Sequence, residues 1–395
     1  MSEWATYTIS EACKRFSSGK GIAASQIFEI GAYPVFGGNG IRGYTDTYNF
    51  EGECAIIGRQ GAYCGNTKYF CGKAYMTEHA IVATANDEHN IGYIANLLSM
   101  MNLGQYQGQS AQPGLSVNTL SNIELKLPDK ETQDSIFSLL SALDKKIALN
   151  KQINARLEEM AKTLYDYWFV QFDFPDANGK PYKSSGGEMV FDETLKREIP
   201  KGWEVKSLGE IALTSSGGTP TSTVQEYYKG GNIPWINSGE LNNNFIVHTD
   251  NFITQTGMDN SSAKLVSEKS ILLAMYGATA GKTSLISFKT TTNQAICSIL
   301  PKDMNYRVYI KSYLDNMYLY LVQLSSGSAR DNLSQDEIKR LHLVIPESGI
   351  LEIFSNVTED FYKKIENNLK QNYHMTQLRD FLLPMLMNGQ VSVAE

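Results

Sequence analysis

The same ordered set of features occurs twice in this chain, and that duplication limits the fold more than any motif does. Leu115-Ser116 matches Leu333-Ser334, Leu120 matches Ile338, Ile123 matches Leu341, Leu125 matches Leu343, and Leu127-Pro128 matches Ile345-Pro346. The register continues without a gap: Lys145-Lys146-Ile147 falls on Lys363-Lys364-Ile365, Asn150 on Asn368, Asn154 on Asn372 and Leu164 on Leu382. Upstream the offset drifts, as it does where loops differ in length. Gly61-Ala62 and Gly65 match Gly277-Ala278 and Gly281; Thr77 and Ala80 match Thr292 and Ala295; Pro34 matches Pro234; Trp4 with Glu11 matches Trp203 with Glu210. A chain of 395 residues has room for two or three domains, and here two copies of one plan fill it.

Each copy has one grammar. Short β-type runs such as Cys54-Ala55-Ile56-Ile57 and Ile271-Leu272-Leu273-Ala274, punctuated by Gly and Asn, fill its front, so strands and turns are expected there. Its rear reads as a long helix opened by Pro128 or Pro346. In the first helix Ile136, Leu140, Leu143, Ile147, Asn150, Asn154, Leu157, Ala161, Leu164 and Trp168 recur at steps of four and three. In the second, Phe354, Thr358, Phe361, Ile365, Asn368, Asn372, Met375, Arg379, Leu382 and Leu386 do the same. Such a stripe marks helices that pack along one seam. An asparagine in a seam fixes register because its amide must find a partner; run antiparallel, Asn150 and Asn154 face Asn368 and Asn372. A solvated edge is the alternative place for these four. Pro384 is expected to stop or kink the second helix. The expected boundaries are 1–128 and 203–346 for the strand-rich domains, 129–172 and 347–390 for the helices, and 173–202, rich in Gly, Pro and Ser, for a linker.

Composition and motifs remove whole classes of function. With 42% apolar and 19% charged residues the chain buries real cores. No apolar run approaches the ~20 residues that span a bilayer, and the start lacks a basic, apolar leader, so the cytosol is the expected compartment. Cys13, Cys54, Cys64, Cys71 and Cys297 are odd in number and irregular in spacing; they are expected as free thiols in or near apolar cores, with neither a disulfide framework nor a metal site. Gly277-Ala-Thr-Ala-Gly281-Lys282-Thr283 resembles a phosphate-binding P-loop, but it is one residue short between glycines and a β-type run follows it. Its counterpart, Gly61 to Thr67, has Asn66 where the lysine stands, so a shared glycine turn is expected. Gly37-Gly38-Asn39-Gly40 is open between a hairpin turn and a phosphate contact. No nucleophile constellation, metal-ligand spacing or dinucleotide fingerprint is present.

Taken together, the motifs resemble the specificity subunits of type I restriction-modification systems. The resemblance rests on GLS…LP and NLS…IP before the helices, on ALDKKIALNKQINARLEEMAKTLYDYWFVQFDFP, and on GWEVKSLGEIA…SSGGTP, IPWINSGEL and LRDFLLPMLMNGQV. It covers essentially the whole chain. It implies an α+β fold with two strand-rich target-recognition domains, separated by two long antiparallel coiled-coil helices in a pseudo-two-fold repeat. It implies a non-catalytic subunit whose two domains each read one half of a bipartite, asymmetric double-stranded DNA target, the helices setting the spacer. Modification (methyltransferase) subunits, two of them, are the implied partners, with restriction subunits as further ones. S-adenosylmethionine and ATP with Mg would bind those partners, and no cofactor is expected here.

Polar loop residues placed alike in both copies are the candidate DNA contacts: Arg42, Arg59, Gln60, Ser110 and Gln112 in the first, and Ser216, Thr219, Asn237, Tyr276, Lys282, Ser328 and Arg330 in the second. Arg, Gln and Asn make paired hydrogen bonds to base edges, whereas Lys and Ser mostly position against phosphate. Leu143, Ile147, Phe361 and Ile365, with the four asparagines, are the helix-pairing candidates. Ser334 and Glu337 have the spacing of a capping box. Tyr165, Tyr167 and Phe169 are open between a docking surface and packing on the neighbouring domain. The net charge of -7 opposes DNA binding by bulk electrostatics, and neither strand-rich domain is basic overall. A protein-only coiled-coil adaptor and a nucleotide hydrolase using Lys282 are the competing functions.

Overall fold

Each copy begins and ends with strands that pair with each other. The computed structural model describes residues 4–61, 63–108, 114–327 and 332–393. In the first copy β1 (Ala5–Thr8) runs antiparallel to β8 (Glu124–Leu127), with Ala5 opposite Leu127. A capping box follows: the Thr8 hydroxyl accepts from the Glu11 amide while the Glu11 carboxylate accepts from the Thr8 amide. Between these ends lies a six-stranded sheet built from β2 (Cys13–Ser18), β3 (Tyr33–Gly37), β4 (Gly40–Thr45), β5 (Phe50–Gly58), β6 (Thr67–Met76) and β7 (Ala80–Ala85), in the order β2-β7-β5-β6-β3-β4. Its pairs are antiparallel except β3 with β6, where Val35 lies opposite Tyr75.

The second copy repeats the plan. It is preceded by a hairpin of β9 (Met189–Asp192) and β10 (Arg197–Pro200). β11 (Glu204–Ser207) pairs with β20 (His342–Ile345), and Ser207 with Glu210 forms the matching capping box. A five-stranded sheet joins β12 (Ala212–Ser216), β14 (Phe245–Ile246), β16 (Ile271–Ala274), β17 (Thr283–Ile286) and β19 (Ile296–Pro301) in the order β12-β19-β16-β17-β14. The smaller sheet holds β13 (Ile233–Ile236), β15 (Phe252–Ile253) and β18 (Thr291–Thr292). β13 and β18 pair in parallel with Trp235 opposite Thr291, the counterpart of β3 with β6. What is one ten-residue strand in the first copy is broken into β17 and β18 in the second.

The chain divides into two compact units, Met1–Ile147 with His374–Glu395, and Ala148–Tyr373. Each therefore owns one strand-rich domain, the start of one long helix and the end of the other. The first helix is Lys130–Tyr165 and the second Ser348–Met387. In the first unit Ile136, Leu140, Leu386 and Met387 share a core with the strands, and Asp144 Oδ1 meets Arg379 Nη1 at 2.8 Å. Leu143 lies half-buried and Ile147 buried there. In the second unit Asn150 donates to Asn372 Oδ1 at 2.9 Å and Asn368 donates to Asn154 Oδ1 at 2.8 Å, all four buried. Four steps forward on one helix meet four steps back on the other, so the helices are antiparallel. Ile365 is buried and Phe361 half-buried beside them.

Pro384, expected to stop or kink the second helix in its last turns, lies three residues before its end at Met387; it has no amide to give the Asp380 carbonyl, and Gly389, at φ +69°, follows the helix. Two local readings are corrected. The segment 173–202 is no plain linker: it carries the β9–β10 hairpin and buries Phe174 and Ile199 in the second core. Before it the first helix ends in a π turn, Asp166–Val170, and Phe172 adopts φ +65°, held there by its edge-on contact with Trp203. Cys71 is exposed rather than in a core, opposite exposed Glu53 in the β5–β6 pair, while Cys54 and Cys297 are buried.

The duplication offers an internal control on buried polarity. Tyr93, in the helix Ile91–Met100, and Tyr309, in Tyr306–Asn316, hold matching buried positions. The Tyr309 hydroxyl donates to the Val344 carbonyl, whereas the Tyr93 hydroxyl has no partner among the described residues. Tyr309→Phe is expected to cost about 1 kcal/mol, and Tyr93→Phe to be neutral or stabilising by up to about 1 kcal/mol. Urea unfolding of the two variants checks this; equal losses would contradict it.

Candidate nucleic-acid interface

In both units the glycine turn before an inner strand sets the geometry. Gly61 and Gly65 have φ +90°, and their counterparts Gly277 and Gly281 have +85° and +79°. Only glycine adopts that backbone without strain, so both copies make the same expected glycine turn in the stretch that resembles a phosphate loop. No helix follows it: the chain enters β6 in one unit and β17 in the other.

Around this turn the second unit gathers four loops. Thr219 donates to Gln294 Oε1, and the half-buried Tyr276 hydroxyl, raised in pKa by burial, also bonds Gln294. Lys282 Nζ reaches Asn242 Oδ1 at 2.5 Å, and Thr279 donates to the Ser238 carbonyl at 2.9 Å. Asn237 caps the short helix Ser238–Asn242 through a capping box with Glu240. Beneath them Gly218 leaves no room for a side chain, since a Cβ there would lie 2.4 Å from the Ala263 amide nitrogen. Thr219, Asn237, Tyr276 and Lys282 are thus brought into one polar surface. Ser216 lies apart from it, donating to Gln335 Oε1 at 3.1 Å while Gln335 donates to the Thr214 carbonyl at 2.8 Å. Ser334 and Glu337 form a capping box, and the Ser334 amide holds the Glu337 carboxyl below its ordinary range.

In the first unit the corresponding surface is a cleft of about 170 Å³ lined by Gly37, Gly38, Asn39, Tyr63, Asn66 and Lys68, among others. Asn39 sits at the tip of the β3–β4 hairpin, so the glycine cluster is a hairpin turn. Arg42 is exposed on β4 and lies over Gly37. Half-buried Arg59 turns two of its donors to the protein: Nε donates to the Leu115 carbonyl at 3.2 Å and Nη1 to the Glu78 carbonyl at 3.4 Å. It braces the loops that Gln60, bridged to Gly114, also joins. Ser110, Gln112, Ser328 and Arg330 lie outside the described residues.

Sequence reasoning missed Asn39, Tyr63, Asn66 and Lys68 in the first unit and Asn242 and Gln294 in the second. Asn66 was within reach, since the repeat sets it against Lys282. Gln294 was not, because its role depends on Thr219 and Tyr276 arriving from distant loops. The surface offers amides, hydroxyls and ammonium groups of the kind that bond base edges and phosphates. Among the described residues no group of His, Cys, Asp and Glu has the arrangement of a metal site, and no helix is long and apolar enough to cross a membrane.

Known proteins carry the same pattern. The family model for the type I restriction modification DNA specificity domain matches residues 1–159 and again 200–371. The chain is similar to the HindI type I restriction enzyme specificity subunit of Haemophilus influenzae, with 30% identity over 331 residues, 71% of this chain and 71% of that one. It is also similar to the MjaIX specificity subunit of Methanocaldococcus jannaschii, with 29% identity over 77% of this chain and 69% of that one. Its fold is like that of the type I restriction-modification S subunit from M. genitalium, at a TM-score of 0.71, 15% identity, and coverage of 98% of this chain and 96% of that one.

Proposed function

Because the chain belongs to the type I restriction-modification DNA specificity family, we propose that each unit reads one half of a bipartite DNA target through the loops around its glycine turn. Catalysis lies elsewhere: the chain is the non-catalytic specificity component, working with other restriction-modification subunits and DNA. The observation that carries the reading is one scaffold with two sets of side chains. Around the shared turn stand Asn39, Asn66 and Lys68 in the first unit and Asn242, Lys282 and Gln294 in the second. Asn66 stands where the second unit has Lys282, and the surrounding donors and acceptors differ too; the two surfaces call for different base sequences, so the target is asymmetric.

The two long helices set the unread gap and dock two modification subunits, with restriction subunits as further partners. S-adenosylmethionine and ATP with Mg belong to those partners. In this reading Gln294 and Tyr276 contribute to base contacts, while Lys282 neutralises a phosphate. Gln294→Ala in the assembled complex is expected to relax specificity by about 1–3 kcal/mol at the second half-site alone. Binding to targets mutated in either half measures this, and equal relaxation at both halves would overturn the assignment.

The acidic balance implies that the partners complete the electrostatic clamp. The chain alone is expected to bind its target weakly, and the assembled complex tightly, with a steep dependence on salt. Titrating labelled duplex with the chain alone and with its modification subunits tests this; tight binding by the chain alone would refute it.

A further inference from the structure

The two units differ in one place where the repeat leads one to expect sameness. In the second unit Trp203, Tyr313, Met317, His342 and Val344 form a surface at the end of the first helix, beside Phe169 and Val170. Residues that follow that helix cover it. Phe174 stacks on Trp203 at 4.6 Å between ring centroids, Phe172 meets it edge-on at 5.7 Å, and Leu195 and Arg197 close over Tyr313 and Val344. What remains open is about 190 Å³.

The matching surface of the first unit consists of Trp4, Leu97, Met101, Glu124 and Lys126, beside Met387 and Asn388. Residue by residue these are the counterparts of Trp203, Tyr313, Met317, His342, Val344, Phe169 and Val170. No described residue plays the part of Phe172, Phe174, Leu195 or Arg197, and the groove has about 520 Å³. Val391 and Val393, beyond the second helix, pack on the first core and do not line it. Two differences in the walls add direction: exposed Glu124 stands where the second unit has His342, and exposed Lys126 where it has buried Val344. A carboxylate there favours a basic residue in the place Arg197 holds.

We propose that the Trp4 groove is a docking site for an extended segment of another polypeptide. That segment presents aromatic rings to Trp4, an aliphatic residue to Leu97 and Met101, and an arginine or lysine to Glu124. The inference rests on the repeat and the groove, and it stands whether or not the DNA reading holds.

The probe is a synthetic peptide of residues 171–200 of this chain, which carries the covering groups of the second unit. Titrated calorimetrically into the full chain, it is expected to bind saturably below about 1 mM. Met101→Asp is expected to weaken it about tenfold or more, and so is a peptide with both Phe172→Ser and Phe174→Ser. Glu124→Gln is expected to weaken it and to change its dependence on salt. Circular dichroism and thermal melting establish that the variants fold. No saturable binding, or binding untouched by Met101→Asp and the altered peptide, would overturn the proposal. A concentration-dependent dimer of the chain, dissolved by Met101→Asp, would also overturn it, by making a second copy the occupant.

Discussion

A seven-residue insertion in each long helix, after Ile147 and after His374, is expected to abolish modification of the parental DNA target and to create a new one. The two points oppose each other in the register that the paired asparagines define, so a heptad in both preserves the seam. Seven residues add roughly 10.5 Å at ~1.5 Å each, which corresponds to about three base pairs at ~3.4 Å. The half-sequences stay the same because the loops are untouched, while the gap between them widens by about three pairs. At the parental spacing both units no longer engage together, and the gain from linking them, of order 10²–10⁴, is lost. Sequencing modified bases in a host that expresses the variant with its partners reads the outcome directly. An unchanged gap would show that the helices do not measure it.

Replacing Arg307 with Ala is expected to cause the largest loss of stability of any single change considered, about 3–5 kcal/mol. Arg307 is 8% exposed and ties the second unit together from inside. Its Nε donates to the Lys269 carbonyl at 3.1 Å, its Nη2 to the Ile286 carbonyl at 3.0 Å, and its Nη1 lies 3.6 Å from Glu359 Oε2 on the second long helix. Truncation takes a donor from three carbonyls, those of Glu268, Lys269 and Ile286, and leaves Glu359 half-buried without its counter-charge. Glu359→Gln in the Arg307→Ala background is expected to recover part of the loss, because it removes that charge. Equilibrium denaturation of the single and double variants checks both statements. A loss below about 1 kcal/mol for Arg307→Ala would mean that solvent replaces the guanidinium freely.

Much of this architecture follows from local pattern. The duplicated order of features, the heptad stripes and the two asparagines in each stripe depend on spacing along the chain, and spacing is visible in a sequence. The glycine turn was legible for the same reason: two copies with and without a lysine point to backbone geometry as the shared requirement. The Thr8–Glu11, Ser207–Glu210 and Ser334–Glu337 caps are equally local, each closing over three residues.

Tertiary structure decided what depends on residues remote in sequence. It made Arg59 a brace between loops, because the Glu78 and Leu115 carbonyls lie within reach of its guanidinium. It made Gln294 part of the polar surface by bringing Thr219 and Tyr276 to it. It folded 173–202 onto the second core, since Phe174 and Ile199 gain more by burial than a Gly- and Ser-rich stretch suggests. It also left the Trp4 groove wide where its twin is covered. Periodicity records which side of an element faces inward, but not which distant groups arrive there to satisfy it.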